Sequence, residues 1–182
     1  MALLIVGVLL WAYSHLMKRV TPGFRASLGD NNGKMVASGL TILAIVFMVV
    51  GYRSADVIQL WNPPLFLRHI NNLLMLVAIF LFFLGFSRGA LRAKIRHPML
   101  SGVKTWALAH LLVNGDLASL ILFGGLLAWA VLDLIFINKM QPVWDRPKAG
   151  PVYFDVLHLV VAVLIMAVIG MIHARLGYPV FG

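Results

Sequence analysis

The sequence predicts an all-α, polytopic transmembrane helical bundle of about six membrane segments, the fourth of them short. Three observations predict it. The chain is 62% hydrophobic and only 12% charged, where a soluble domain carries about 25% charged residues. Its apolar residues come in blocks long enough to cross a bilayer. The basic residues fall almost entirely between alternate blocks. The 182 residues make one membrane domain, 1–182, with no composition break that marks a second.

The elements follow in order. Residues 2–17 are apolar apart from Tyr13, Ser14 and His15, and make a first, short spanning helix. No Lys or Arg precedes that run, and Lys18-Arg19 follow it, so it is expected to be a retained anchor and not a signal peptide. Residues 18–34 read as a basic loop with turn signals at Pro22, Gly23 and Asp30-Asn31-Asn32-Gly33. Met35 to Tyr52 is a second helix. A connection over 53–68 carries Asn62-Pro63-Pro64 and two interface aromatics, Trp61 and Phe66. A third helix runs from Ile70 to Phe86.

A basic segment over 87–104 follows, containing Arg96-His97-Pro98. Ser101 is a reasonable N-cap for a helix over 102–113. That helix is too short to span alone and ends in Asn114-Gly115-Asp116, so it is expected to stop where its polar end is protected from lipid. A fifth helix covers 117–137, and Gly124-Gly125 in it reads as a close packing point. Loop 138–151 is rich in proline, and a last helix covers 152–176.

Charge orients the bundle. With the first loop inside, Lys18, Arg19, Arg25, Lys34, Arg88, Arg92, Lys94, Arg96, Lys104, Lys139, Arg146 and Lys148 all fall inside. Only Arg53, Arg68 and Arg175 fall outside. The positive-inside rule then puts both termini outside the cytoplasm. The net charge of +9 is thereby loop charge at a membrane face. The partner it implies is the lipid bilayer and not nucleic acid.

The absence of cysteine excludes disulfides, thiolate metal sites, iron–sulfur clusters and covalent c-type haem. No glycine-rich phosphate loop, G-x-S-x-G or H-E-x-x-H occurs. What remains is a set of titratable side chains inside apolar helices, costly there and so candidates for function: His15, His110, His158, Asp133 and Asp155. His15 and His110 share a pattern, Trp11-Ala-Tyr-Ser-His15 and Trp106-Ala-Leu-Ala-His110. A four-residue step returns to the same helix face, so each segment presents an indole and an imidazole together. Counted from Lys18 and Lys104, both imidazoles fall at compatible depth in the cytoplasmic half.

Two facing histidines suit b-type haem in a bundle. Arg19, Arg96 and Lys104 would then meet its propionates. The plainer reading is that each histidine hydrogen-bonds to a neighbouring helix and glues it. Spacing alone leaves both open. Asp133 and Asp155 are expected to pair with the Arg88–Arg96 cluster. Asp155 either orients His158 or makes an ordinary intrahelical bond. His69 and His173 are expected to be solvated at the outer interface, and His97 to help close its turn.

The run from Ile95-Arg96-His97-Pro98 through Trp106-Ala-Leu-Ala-His110 to Gly125 closely resembles the NnrU family of bacterial membrane proteins. The histidine of the first helix, Leu60-Trp61-Asn-Pro-Pro64 and Ala130-Val-Leu-Asp133 fit it too. The resemblance implies a role around nitrite and nitric oxide reduction, beside denitrification or respiratory membrane proteins. The family is similar to plant 15-cis-zeta-carotene isomerase, which binds b-type haem and isomerises a carotenoid double bond. Its haem-ligating histidines correspond by motif to His15 and His110, so the resemblance implies haem b held by these two, with Arg19, Arg96 and Trp106 around it. Arg96-His97-Pro98 is also similar to the start of the S-adenosylmethionine region in isoprenylcysteine-type methyltransferases, but the acidic residues those enzymes use downstream are not evident here. The expected function is a haem-b protein supporting denitrification. The alternatives are a non-catalytic assembly subunit and an isomerase acting on a lipid-soluble substrate.

Overall fold

The computed structural model describes residues 1–181. Seven helices organise them: α1 Ala2–Val20, α2 Pro22–Ser27, α3 Asp30–Arg53, α4 Leu67–Phe83, α5 Pro98–Val113, α6 Leu117–Met140, which takes a π-helical turn at Leu120–Gly124, and α7 Tyr153–Arg175. Short 3₁₀ turns follow α4 at Leu84–Phe86 and precede α5 at Leu91–Ala93. No strand occurs among the described residues. One antiparallel bridge joins Gln59 to Asp116. The chain is an all-helical membrane protein in which α1, α3, α4, α6 and α7 are each long and apolar enough to cross a bilayer.

Two antiparallel pairs carry most of the packing, α1 on α3 and α4 on α5, with α6 seated against α1 and α5 and α7 chiefly against α4. The α1–α3 pair is close because glycine faces backbone. Gly7 lies against Met48 and Ala44, and Gly51 against Leu3 and Leu4. Small residues let membrane helices approach until dispersion and backbone contacts hold them. Gly125 plays the same part against Val8, while Gly124 has room around it. The expected Gly-Gly packing point is thus the second glycine alone. The core is built around Leu4, Val8, Leu16, Met48, Leu126, Trp129 and Ala130. Outward residues such as Leu157, Val160, Leu164 and Met171 of α7 remain half exposed, as a lipid-facing surface must.

The bundle has two distinct ends. At one, the start of α1 meets Gly51 of α3, and the 53–66 connection meets the α5–α6 turn. There Gly115 O accepts from Leu60 N at 2.7 Å and Trp61 N at 3.1 Å, and Leu117 N donates to Ile58 O. Asn72 of α4 donates to Val180 O at the same end, so both termini lie there. At the other end lie residues 18–30, 84–98 and 138–153, which carry most of the basic side chains.

The fourth segment is the clearest departure. Its helix begins at Pro98, not 102, because proline at the first helical position needs no N–H partner and already has helical φ. Ser101 is therefore not the N-cap. It lies inside the first turn, its N–H donating to His97 O. The sixteen residues of α5 rise about 24 Å. They run from the basic end, where His97 Nε2 donates to Asn138 Oδ1 at 2.8 Å, to the Gly115 turn at the other. The segment therefore runs from one end of the bundle to the other, beside the five helices long and apolar enough to cross a membrane. Its polar end is protected as expected. Asn114 Nδ2 donates to His110 O, and Asp116 caps α6 by accepting from Ser119 N at 2.8 Å. Residues 18–34 are also less of a loop than expected. They contain α2 and the first turn of α3, where Gly29 adopts φ 71° and Asp30 suits the positive helix start.

Candidate functional site

His15 sits on the inward face of α1, within a turn and a half of Val20. Its Nδ1 donates to Trp11 O at 2.8 Å and lies 3.1 Å from Ser14 Oγ. A carbonyl only accepts, so Nδ1 carries the proton and Nε2 presents its lone pair. Among the described residues nothing hydrogen-bonds Nε2. The ring lies 4.3 Å from the indole of Trp11 and 4.8 Å from that of Trp129, with the two indoles 5.4 Å apart edge to face. Trp129 is 5% exposed. The Nε1 of both tryptophans is buried with no hydrogen-bond partner among the described residues, an arrangement proteins ordinarily avoid.

One turn beyond Trp129, Asp133 Oδ1 meets Arg19 Nη1 at 2.8 Å. The contact is ionic, since Oδ1 accepts no aligned hydrogen bond. This pair joins α6 to α1 beside His15. Asp133 thus pairs with Arg19 and not with the Arg88–Arg96 cluster. Asp155 does reach that segment, but it accepts from the backbone N–H of Ala90 at 2.9 Å and Leu91 at 3.2 Å. The amides of a tight turn outcompete longer, more mobile guanidinium groups.

His110 shares the local design of His15. Its Nδ1 donates to Trp106 O at 2.9 Å and its Nε2 is free among the described residues. Its ring stacks on Phe123 at 4.5 Å and lies 5.1 Å from Trp106. Its depth is different. His110 lies one turn before Val113, at the end holding both termini, whereas His15 lies toward the basic end. The compatible depth expected from lysine spacing does not hold, because α5 starts at Pro98 and Lys104 is well inside it. The two imidazoles pack on α6 residues six positions apart, Trp129 and Phe123, which is about 9 Å along the helix axis. No hydrogen bond or ring contact joins them.

Arg96 donates to the carbonyls of Gln141, Pro142 and Val143, closing the α6–α7 loop at the basic end. Arg19 is committed to Asp133. Of the expected site residues, the structure brings His15 and Arg19 to one centre and Trp106 and His110 to another, and leaves Arg96 at the rim. His158 Nε2 donates to Phe80 O at 2.9 Å, a bond between α7 and α4 and not to Asp155. His158→Leu is expected to lower the melting midpoint by the worth of one interhelical bond, about 1 kcal/mol, and to leave the His15 centre unchanged. His69 is exposed, as expected. His173 is half-buried and donates to Ile169 O.

The family model described as NnrU protein matches residues 3–180, nearly the whole chain. This chain belongs to the NnrU family. No curated protein and no solved structure matches it. In this NnrU chain the residue that motif reading missed is Trp129. A signal was present, since Trp129-Ala-Val-Leu-Asp133 repeats the four-residue step of Trp11–His15 and Trp106–His110. A tryptophan and a polar partner one turn on recur three times. Two of the three tryptophans, Trp11 and Trp129, meet at His15.

Proposed function

We propose that this NnrU protein lies in a bacterial inner membrane with its basic end in the cytoplasm and both termini in the periplasm, binds haem b through His15, with His110 at a different level of the bundle, and supports nitrite or nitric oxide metabolism. The observation that carries the reading is the His15 centre. Its ring is oriented by a backbone carbonyl, its Nε2 is free, and two buried indole N–H groups beside it lack acceptors. A fixed Nδ1–H is how proteins orient a metal-binding imidazole. Haem supplies one-electron redox chemistry or a position for a diatomic ligand. The chain's part is to hold the ring, exclude water with Trp11 and Trp129, and set charge through Arg19 and Asp133.

The donor set fits haem residue by residue. As a pair on one iron it does not fit the described arrangement. Two imidazole–metal bonds of about 2 Å each leave about 4 Å between nitrogens, against a stagger of about 9 Å along α6. The same Nδ1 back-bond at His173 shows that this feature alone selects no ligand. The indole pair is what singles out His15.

The test is the absorption spectrum of protein purified after haem-replete expression. A Soret band is expected, lost in His15→Ala and kept in His173→Ala. His110→Ala separates a second ligand, which would change the band, from a packing residue, which would leave it. No band in the parent protein refutes haem binding. The second reading, an assembly subunit without cofactor, is favoured by the interhelical bonds of Arg19, His97 and His158. It predicts no band and co-purification with a larger membrane complex.

A further inference from the structure

We propose that the cavity between α1, α2 and the start of α3 is a binding site for a phosphate group, carried either on a lipid headgroup or free. The cavity is about 250 Å³ and is lined by Ser14, His15, Lys18, Arg25 and Lys34 among others, with no carboxylate in its wall. Three cations, Lys18, Arg25 and Lys34, converge on it, while Ser14 and His15 spend their protons on Trp11 O. Three cationic donors match an oxyanion with two charges and several acceptor oxygens.

Arg25 shows that the site is built. It is 7% exposed, and burying a cation without a carboxylate is costly. No carboxylate among the described residues lies within 4.0 Å of it. The ion pair found is Arg19 with Asp133, and Asp30 offers Arg25 its main-chain oxygen and not its acid. The guanidinium is held by Gly29 O at 2.8 Å and Asp30 O at 3.3 Å. A guanidinium has five N–H donors, so these two carbonyls leave donors to spare. It lies flat on α3 because residue 33 is glycine. A methyl at Gly33 would overlap its terminal atoms and stand 2.7 Å from Nε. Sequence, backbone and cavity thus agree in fixing one positive charge in place, while the exposed Lys18 and Lys34 supply mobile ones. The position at the basic end suits a phosphate at a membrane surface, where basic pockets between helices recognise anionic headgroups.

The site does not depend on haem, and its test needs none. The full chain in phosphate-free maltoside micelles is melted against increasing inorganic phosphate, and separately against increasing phosphatidic acid. A dose-dependent rise in melting midpoint is expected. In Lys18→Gln/Lys34→Gln, which changes only exposed side chains, half-saturation is expected to move to about thirtyfold higher ligand. Gly33→Ala, which displaces Arg25, is expected to weaken binding likewise. Lys139→Gln/Lys148→Gln removes the same charge elsewhere at the basic end and is expected to behave as the parent. A response to inorganic phosphate assigns a free oxyanion, and a response to the lipid alone assigns a headgroup. If neither ligand raises the midpoint, or if the two lysine pairs lose binding equally, the proposal is overturned.

Discussion

Gly51→Ala is expected to cost about 3 kcal/mol, the upper end for adding one methyl to a packed interior. The added carbon would stand 2.8 Å from Leu4 Cα and 2.9 Å from the Leu3 carbonyl carbon. Those are main-chain atoms of α1, so no rotamer change relieves the overlap and the helix itself must retreat. Leu4 is fully buried in the core beside Val8 and Met48, so the retreat also opens the best-packed part of the bundle. Gly7→Ala would meet Met48 N at 2.7 Å and is expected to act in the same direction. Gly39 lies in α3 with nothing within 4 Å, so Gly39→Ala is expected to gain about 0.5–1 kcal/mol from helix propensity. Melting the three variants in detergent decides the matter. Equal midpoints for Gly51→Ala and Gly39→Ala would mean that α1 and α3 do not meet backbone to backbone.

The Arg19–Asp133 pair is expected to be asymmetric. Both side chains are mostly buried, 21% and 11% exposed, and 2.8 Å apart. Breaking a buried pair strands the partner left behind, at a cost of about 3–5 kcal/mol when it cannot reach water. Asp133 is short and sits inside α6, so Arg19→Ala is expected to cost about 3 kcal/mol. Arg19 is long and lies next to the end of α1, so after Asp133→Asn it can snorkel to the surface, and about 1 kcal/mol is expected. The double variant should cost less than the sum of the two singles, since neither charge is then left alone. Equal losses from the single variants would show that Asp133 is stranded no more than Arg19, and a double loss equal to the sum of the singles would show that the two side chains do not interact.

Much of the architecture was legible because bilayer physics is written in composition. Apolar runs of membrane length, and charge confined to alternate connections, identify helices and their order without knowledge of any contact. Helix ends were less legible. Pro98 starts α5 four residues before the expected position, and Ser101, a good N-cap by type, is spent inside the helix. Residue type states what a position tolerates, and competition between neighbours decides which position is used. The site was half legible. The Trp-to-His step correctly placed each imidazole beside its indole on one helix face, 4.3 Å apart at His15 and 5.1 Å at His110. The relation between the two histidines was not legible, because depth counted from the nearest lysine assumes that lysines mark membrane edges. Lys104 lies within α5 and marks none.

By itself the sequence determined a helical membrane protein of the NnrU type, its basic end, and which imidazoles lie within apolar helices. These properties depend on local composition, on helical periodicity of one turn, and on motifs that need no partner to be recognised. Only the tertiary structure decided that Asp133 answers Arg19, that Trp129 joins Trp11 around His15, that His110 belongs to the opposite half, and that Arg25 is pressed onto Gly33. The first two are contacts between helices distant in the chain, and the last joins two consecutive helices across a short turn. The register of one helix against another is set by where small residues such as Gly7, Gly51 and Gly33 allow close approach, and that register is a property of pairs of helices which no single stretch of sequence carries.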